Sequence, residues 1–151
     1  MTILHATGDL SVLIALGVAI FVPSATMSVG RDLVFVLGLL VLAAGGLLRR
    51  HCFRMLGPYF TGTVVVKPNQ PIVKRGAYRW IRHPSYTGGM LLVIGIGLAF
   101  TNWLSVGIST ILPAVGYMFR VRAEERALLE TLGEAYQAYM EQTKRFLPYL
   151  F

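Results

Sequence analysis

The sequence predicts an all-α integral membrane protein. About four transmembrane helices form two pairs, the second a tight helical hairpin, with a long loop and a C-terminal helix outside the bilayer. Three observations carry that prediction. Hydrophobic residues make up 55% of the 151 and charged residues 14%, where soluble domains carry about a quarter charged; the mean hydropathy is +0.62. The apolar residues fall into four segments. The basic residues gather at alternate connections between them.

The first segment, about Leu10 to Met27, has no Lys or Arg before it, and its apolar run exceeds a signal-peptide core, so it reads as a retained helix. The second runs from about Leu33 to Leu48, the third from Tyr86 to Phe100, and the fourth from Trp103 to Phe119 with Pro113 inside it. A spanning helix needs about 20 apolar residues and at least about 17, so the third and fourth must borrow from their flanks. Only Thr101-Asn102 separates them. A turn at that depth must be satisfied by protein or water. Asn102 suits it, because Asn tolerates left-handed backbone and caps helix starts.

One arginine lies in Gly30 to Asp32, between segments one and two, whereas "RRHCFR" follows segment two, "KRGAYRWIRHP" precedes segment three and "RVRAEER" follows segment four. Positive residues favour the cytosolic side. Four crossings then put the three basic regions and both termini inside. The net charge is +7, from 14 Lys+Arg against 7 Asp+Glu. Set beside apolar segments, that charge suits anionic lipid headgroups, and no nucleic-acid partner is expected. One domain is predicted, an N-terminal helix pair over 1–56 and a core over 57–151. The single cysteine, Cys52, excludes an internal disulfide and reads as a free thiol in a reducing compartment. His5, His51 and His83 are scattered, without metal-ligand spacing.

Gly57 to Ile81 contains Pro58, Pro68 and Pro71 and one β-like run, Thr63 to Val66. It is too irregular for a helix, and long loops without secondary structure are often functional. Arg120 to Phe151 reads as a helix to about Gln142 and then an extended tail. At 100° per residue, Val121, Leu128, Leu129, Leu132, Tyr136, Tyr139 and Met140 share a stripe with Glu125 near its middle and Arg122 at its edge. Glu124, Glu130, Glu134 and Glu141 fall opposite, with Arg120, as a solvated face. A carboxylate on a packed face is costly unless paired. Glu125 therefore either closes a salt bridge, to Arg122 or a loop arginine, or aims its charge into a polar site at the membrane surface.

The stretch "RWIRHPSYTGG", Arg79 to Gly89, runs straight into the third apolar segment. Trp80 and Tyr86 suit an interfacial aromatic belt, with Arg79 and Arg82 facing headgroups. A belt does not account for His83-Pro84. Proline drives the preceding residue out of helical geometry and fits the first turn of the next helix. His83 is thus set beside a helix start, whose bare N–H groups suit an accepting ligand. Gly88 and Gly89 allow close approach of a ligand or another helix. Gly45-Gly46 and the Gly95/Gly97 pair are also packing motifs, more naturally used within one chain than between copies, and a monomer is favoured.

Four blocks stand in order around the hairpin: Gly76-Ala77-Tyr78, Arg82 to Gly88 ("RHPSYTG"), Glu124-Glu125, and Gly133 to Tyr136 ("GEAY"). With them, about Gln70 to Pro148 resembles the isoprenylcysteine carboxyl methyltransferase family, to which phospholipid methyltransferases are related. The resemblance implies a membrane methyltransferase that uses S-adenosylmethionine and acts on a lipophilic or lipidated substrate at the cytosolic surface. By the same likeness, His83, Pro84, Tyr86 and Gly88 would line the cofactor site, with Tyr78 and the Gln70, Ile72 and Val73 backbone near the adenosyl end. Glu124 or Glu125 would hold a polar end of the cofactor or shape the reaction site. Arg120 would stand close to the methyl acceptor, although the helical wheel favours Arg122. Arg120 and Glu125 would then be the catalytic pair. Many relatives carry a histidine near 69–71; here Gln70 offers a hydrogen-bond donor in its place.

A carboxylate acceptor needs no base at neutral pH but needs a cation to position it. An amine acceptor would need a base such as Glu125. Two arginines lean toward the carboxylate. The alternatives are phospholipid N-methylation, sterol-reductase-like chemistry with NADPH, and a non-catalytic membrane binding module.

Overall fold

The computed structural model describes residues 2–59 and 70–147. The β-like run at 63–66 lies outside the described residues, as does Pro148. Within them the chain is helical. Five α-helices follow in order: α1 (Thr2–Phe21), α2 (Arg31–Leu56), α3 (Pro84–Ala99), α4 (Trp103–Leu132) and α5 (Glu134–Gln142), with short 3₁₀ turns at Pro23–Ala25, Gly57–Tyr59 and Gly76–Arg79. α2 packs on α3, α3 on α4 and α4 on α1.

Glycines set the α2–α3 distance. Gly38 and Gly45 on α2 meet Gly95 and Gly88 on α3, each pair seven residues apart on its own helix. A Cβ on Gly45 would lie 2.7 Å from the Gly88 carbonyl oxygen, and one on Gly38 would lie 2.9 Å from that of Gly95. Only bare backbones fit at that separation, as between membrane helices generally. Gly97 does the same toward Ser109 of α4. The glycine motifs thus pack within the chain. Leu33, Phe35, Val36, Leu39, Leu40 and Leu47 of α2 remain exposed, a face suited to hydrocarbon.

One end of the bundle is closed by protein partners for the hairpin turn. Met27 N–H donates to the Thr101 carbonyl at 2.9 Å, Asn102 Nδ2 donates to Val22 O at 3.1 Å, and Arg31 Nε donates to Thr101 Oγ1 at 3.2 Å. The left-handed residue is Thr101, with φ 51°. Asn102 is extended and caps α4 by accepting from Ser105 N–H at 3.1 Å. Asn102 therefore supplies the cap while its neighbour makes the bend.

The helices differ from the apolar segments in length. α2 carries on through Arg49–Arg54. α3 is 16 residues, about 24 Å, less than the roughly 30 Å of a hydrocarbon core. α4 is 30 residues and runs unbroken through Pro113 and Arg120. The expected division between segment four and a C-terminal helix at Arg120 does not exist. The break comes at Gly133, whose φ of +53° ends α4 and starts α5. Positive φ is a glycine conformation and a common helix stop. Beyond Phe119, α4 bears Arg120, Arg122, Glu124, Glu125 and Arg126 within seven positions, in contrast to its apolar first part.

Candidate functional site

The end opposite the hairpin turn carries the chemistry. There the tail after α5 pairs with the segment before α3. Arg82 N–H donates to Lys144 O at 2.7 Å, Lys144 N–H to Trp80 O at 3.1 Å and His83 N–H to Arg145 O at 3.0 Å. Thr87 Oγ1 adds a bond to Phe146 O at 2.8 Å. Pro84 starts α3 at its first turn and leaves His83 in non-helical backbone. The helix start is thus held between α4 and the tail.

Glu125 sits at the centre of this junction, only 4% exposed. Its Oε1 accepts from Arg82 Nε at 2.9 Å and lies 3.3 Å from His83 Nε2. Its Oε2 accepts from Arg145 Nε at 3.0 Å. Burial works against the charge, but the hydrogen bonds from His83, Arg145 and Arg82 outweigh it and hold the carboxyl at about 2, down from 4.5. Arg82 also donates to the carbonyls of Met140, at 2.8 Å, and Thr143. The salt-bridge reading of Glu125 therefore holds, with a loop arginine and a tail arginine as partners. Arg122 is exposed. Arg82 is not a headgroup anchor, since its side chain is 8% exposed. Trp80 is half exposed, with the Arg79 guanidinium 5.1 Å from its ring centroid.

Beside the junction lies a cavity of about 390 Å³, within the roughly 300–1,000 Å³ of small-molecule sites. Gln70, Ile72 and Val73 form one wall, and Tyr78, His83 and Tyr86 another. Arg120 and Glu124 reach in from α4. Tyr86 Oη donates to Glu124 Oε2 at 2.8 Å, and the Arg120 guanidinium stands 5.7 Å from the Tyr86 ring centroid. Arg120 and Glu124 are four residues apart, on one face of the continuous α4; they do not belong to the solvated face expected of them. Tyr136 and Tyr139 of α5 close the floor. Tyr139 Oη donates to Tyr78 O at 2.7 Å. Burial pushes the Tyr139 phenol up to about 12, with Arg82 working the other way. Burial also raises Tyr78 and Tyr136, so these tyrosines stay neutral at working pH. Deeper along α3, Leu92, Val93 and Ile96 line the same space, with Val12 of α1. Ile96 is ten residues beyond Tyr86, about 15 Å further along the helix.

Eight expected site residues thus share one cavity: Gln70, Ile72, Val73, Tyr78, His83, Tyr86, Arg120 and Glu124. Pro84, Gly88 and Glu125 stand behind its wall. Gly88 packs on the Arg49 backbone. Arg49 and Tyr117 line the cavity without having been singled out. The heptad spacing of Gly38/Gly45 and Gly88/Gly95 was the signal that could have brought Arg49 to this place. Among the described residues, no three His, Cys, Asp or Glu side chains cluster closely enough to hold a metal.

A sequence model of the isoprenylcysteine carboxyl methyltransferase family matches residues 36–130. The chain is similar to protein-S-isoprenylcysteine O-methyltransferase of Saccharomyces cerevisiae, 31% identical over 82% of this chain and 52% of that one. It is also similar to the Homo sapiens protein of that name, 33% identical over 76% and 41%. In structure it resembles a eukaryotic intramembrane Ras methyltransferase, isoprenylcysteine carboxyl methyltransferase, with a TM-score of 0.79 at 24% identity, covering 99% of this chain and 54% of that one. That likeness carries the fold. The chain spans about half the length of these relatives.

Proposed function

The chain belongs to the isoprenylcysteine carboxyl methyltransferase family, and from that premise we propose that it moves a methyl group from S-adenosylmethionine to a carboxylate on a lipophilic, membrane-borne acceptor. The observation that carries the reading is the cavity, where Arg120, Glu124 and Tyr86 meet beside a helix start and an apolar wall continues along α3.

The donor set fits the cofactor. S-adenosylmethionine carries a sulfonium and an ammonium, and the cavity offers the Glu124 carboxylate and the faces of Tyr86 and Tyr117 to cations. Gln70, Ile72, Val73 and Tyr78 would hold the adenosyl end, and His83, Tyr86 and Glu124 the charged end. When bound, S-adenosylmethionine supplies a methyl group already activated on sulfur. The chain's own work is alignment and the exclusion of water. Arg120 orients the acceptor carboxylate, which needs no base at neutral pH. The neutral tyrosines donate hydrogen bonds without adding charge. Leu92, Val93 and Ile96 take the start of the acceptor's hydrocarbon. Glu125 acts at one remove, fixing His83 and the head of α3 through Arg82 and Arg145.

In this reading α1 to α4 cross the bilayer. The short α3 draws its polar start, and the cavity with it, to the cytosolic surface, and the basic segments set that orientation. Cofactor then arrives from water and acceptor from lipid. The test is isothermal titration of the purified protein with S-adenosylhomocysteine, followed by a labelled-methyl screen over thioether carboxylic acids and amine lipids. Binding of S-adenosylhomocysteine with transfer to an acid is expected. Tight NADPH binding without S-adenosylhomocysteine binding sinks the reading, and transfer to amine lipids alone moves it to N-methylation.

A further inference from the structure

Between Asp32 and Glu124 the sequence holds no Asp or Glu. The basic residues of that stretch have no acid near them in the chain, and Arg82 finds one only by reaching Glu125. Arg54, Lys74 and Arg75 are exposed. Among the described residues neither Arg54 nor Arg75 enters an ion pair, and Lys74 stands 5.9 Å from the Tyr139 ring centroid. These three residues edge a second space, an open groove of about 650 Å³ between the end of α2 and residues 71–75, with Met55, Leu56 and Ile72 among its lining. The left-handed turn at Gly76, φ +59°, lays the chain on α2: a Cβ there would collide with Met55 Sδ and stand 2.9 Å from His51 Nε2. Arg54 lies six residues past Leu48, where the apolar run ends, about 9 Å along the helix. A headgroup layer is about 5–8 Å thick, so with α2 crossing the bilayer the groove opens at headgroup level.

The inner wall of the groove is the outer wall of the main cavity. Pro71, Ile72 and Val73, with Leu56 and Tyr59, line both. The segment 71–73 is thus a partition with open space on each side. No backbone–backbone hydrogen bond joins it to another described residue, which leaves its place to the packing on its two faces.

We propose that this groove is a lipid site: Arg54 and Arg75, with Lys74 at the rim, grip the phosphate of an anionic phospholipid, and its occupancy steadies the partition for S-adenosylmethionine on the other side. The lipid site stands apart from the methyltransferase reading, whereas the coupling rests on it. Guanidinium forks match a phosphate diester, and Met55, Leu56 and Ile72 offer the glycerol region an apolar bed. The test uses the full chain in dodecyl maltoside micelles doped with phosphatidylglycerol or phosphatidylcholine, with retained lipid counted by native mass spectrometry. Phosphatidylglycerol should be retained preferentially, and less so as ionic strength rises. Arg54→Gln/Arg75→Gln should weaken its retention about 10- to 30-fold, from about fivefold for each basic residue at a lipid surface. Arg122→Gln/Arg126→Gln, which removes two exposed arginines outside the groove, should change it less than about twofold. Arg54→Lys/Arg75→Lys keeps the charge without the fork and should fall between; it carries the test if the glutamine pair does not fold. In titration calorimetry S-adenosylhomocysteine should bind about fivefold more tightly in phosphatidylglycerol than in phosphatidylcholine, and the glutamine pair should erase that difference. Equal losses from the groove pair and the Arg122/Arg126 pair overturn the site in favour of diffuse surface charge. Displacement of phosphatidylglycerol by inorganic phosphate overturns it in favour of a soluble anion. Equal S-adenosylhomocysteine affinity in the two lipids overturns the coupling. Absence of S-adenosylhomocysteine binding in both lipids strikes the methyltransferase reading alone, because lipid retention still decides the groove.

Discussion

Glu124 and Glu125 are neighbours in sequence and occupy opposite environments. Glu125 turns toward the tail, where Arg82, His83 and Arg145 surround it. Glu124 turns toward the cavity, where Tyr86 is its hydrogen-bond donor. The 100° step between adjacent helical residues makes the split: one helix serves a structural junction and a ligand space with consecutive carboxylates. The difference teaches that a carboxylate held by two arginines and a histidine is built to stay in place. One whose hydrogen-bond donor among the described residues is a neutral phenol in a cavity wall keeps acceptor capacity for a ligand.

Glu125→Ala should break this contrast most severely. It leaves Arg82 buried against a missing partner, and removing one member of a buried pair costs about 3–5 kcal/mol. Thermal unfolding in detergent should show a large loss of stability, with loss of S-adenosylhomocysteine binding only as a consequence. Retention of the wild-type melting temperature would refute the junction. Glu124→Gln should do the reverse. Its melting temperature should stay near wild type, because the amide can still accept from Tyr86. Its S-adenosylhomocysteine affinity should fall about 10- to 100-fold for the lost charge, read by titration calorimetry. Tyr86→Phe removes the phenol but leaves the carboxylate, and should cost the same affinity only about fivefold, near 1 kcal/mol.

The sequence made the scaffold legible and hid the phase of its last part. The four apolar runs and the cap at Asn102 follow from composition and capping chemistry, whereas a shared site for His83 and Glu125, 3.3 Å apart in the structure, is what the family resemblance implies. The helical wheel through Arg120–Gln142 failed, because it assumed one unbroken helix. Gly133 resets the phase, so α5 lays Tyr136 and Tyr139 against the site independently of where α4 puts Glu124. A glycine in "TLGEAY" is visible, but its backbone angle is decided by the packing around it. Arg82 was misread for a related reason. Its partners come from α4, the end of α5 and the residue after it, and pairing of a loop side chain with distant elements leaves no periodic trace. Arg49 lay inside a basic run that looks the same whether its members face lipid, water or cavity.

The smallest expected effect is the sharpest test of which carboxylate holds the junction. The Glu125 carboxyl is lowered to about 2 in the folded protein, so its charged form favours folding. That stabilisation is fully present above the ordinary value near 4.5 and drains away as the pH falls from there through about 2. From pH 8 to 5.5 Glu125 should leave stability unchanged. At pH 4 the loss should be below about 1 kcal/mol. Other carboxylates titrate in the same range, so the informative quantity is the difference between wild type and Glu125→Gln. That difference should shrink steadily below pH 4.5, because acid converts the wild-type side chain into a neutral one resembling the variant's. The corresponding difference for Glu124→Gln should be smaller, since among the described residues Glu124 accepts from the Tyr86 phenol, whereas Glu125 is held by two arginines and His83. If the two difference curves coincide, the junction does not rest on Glu125.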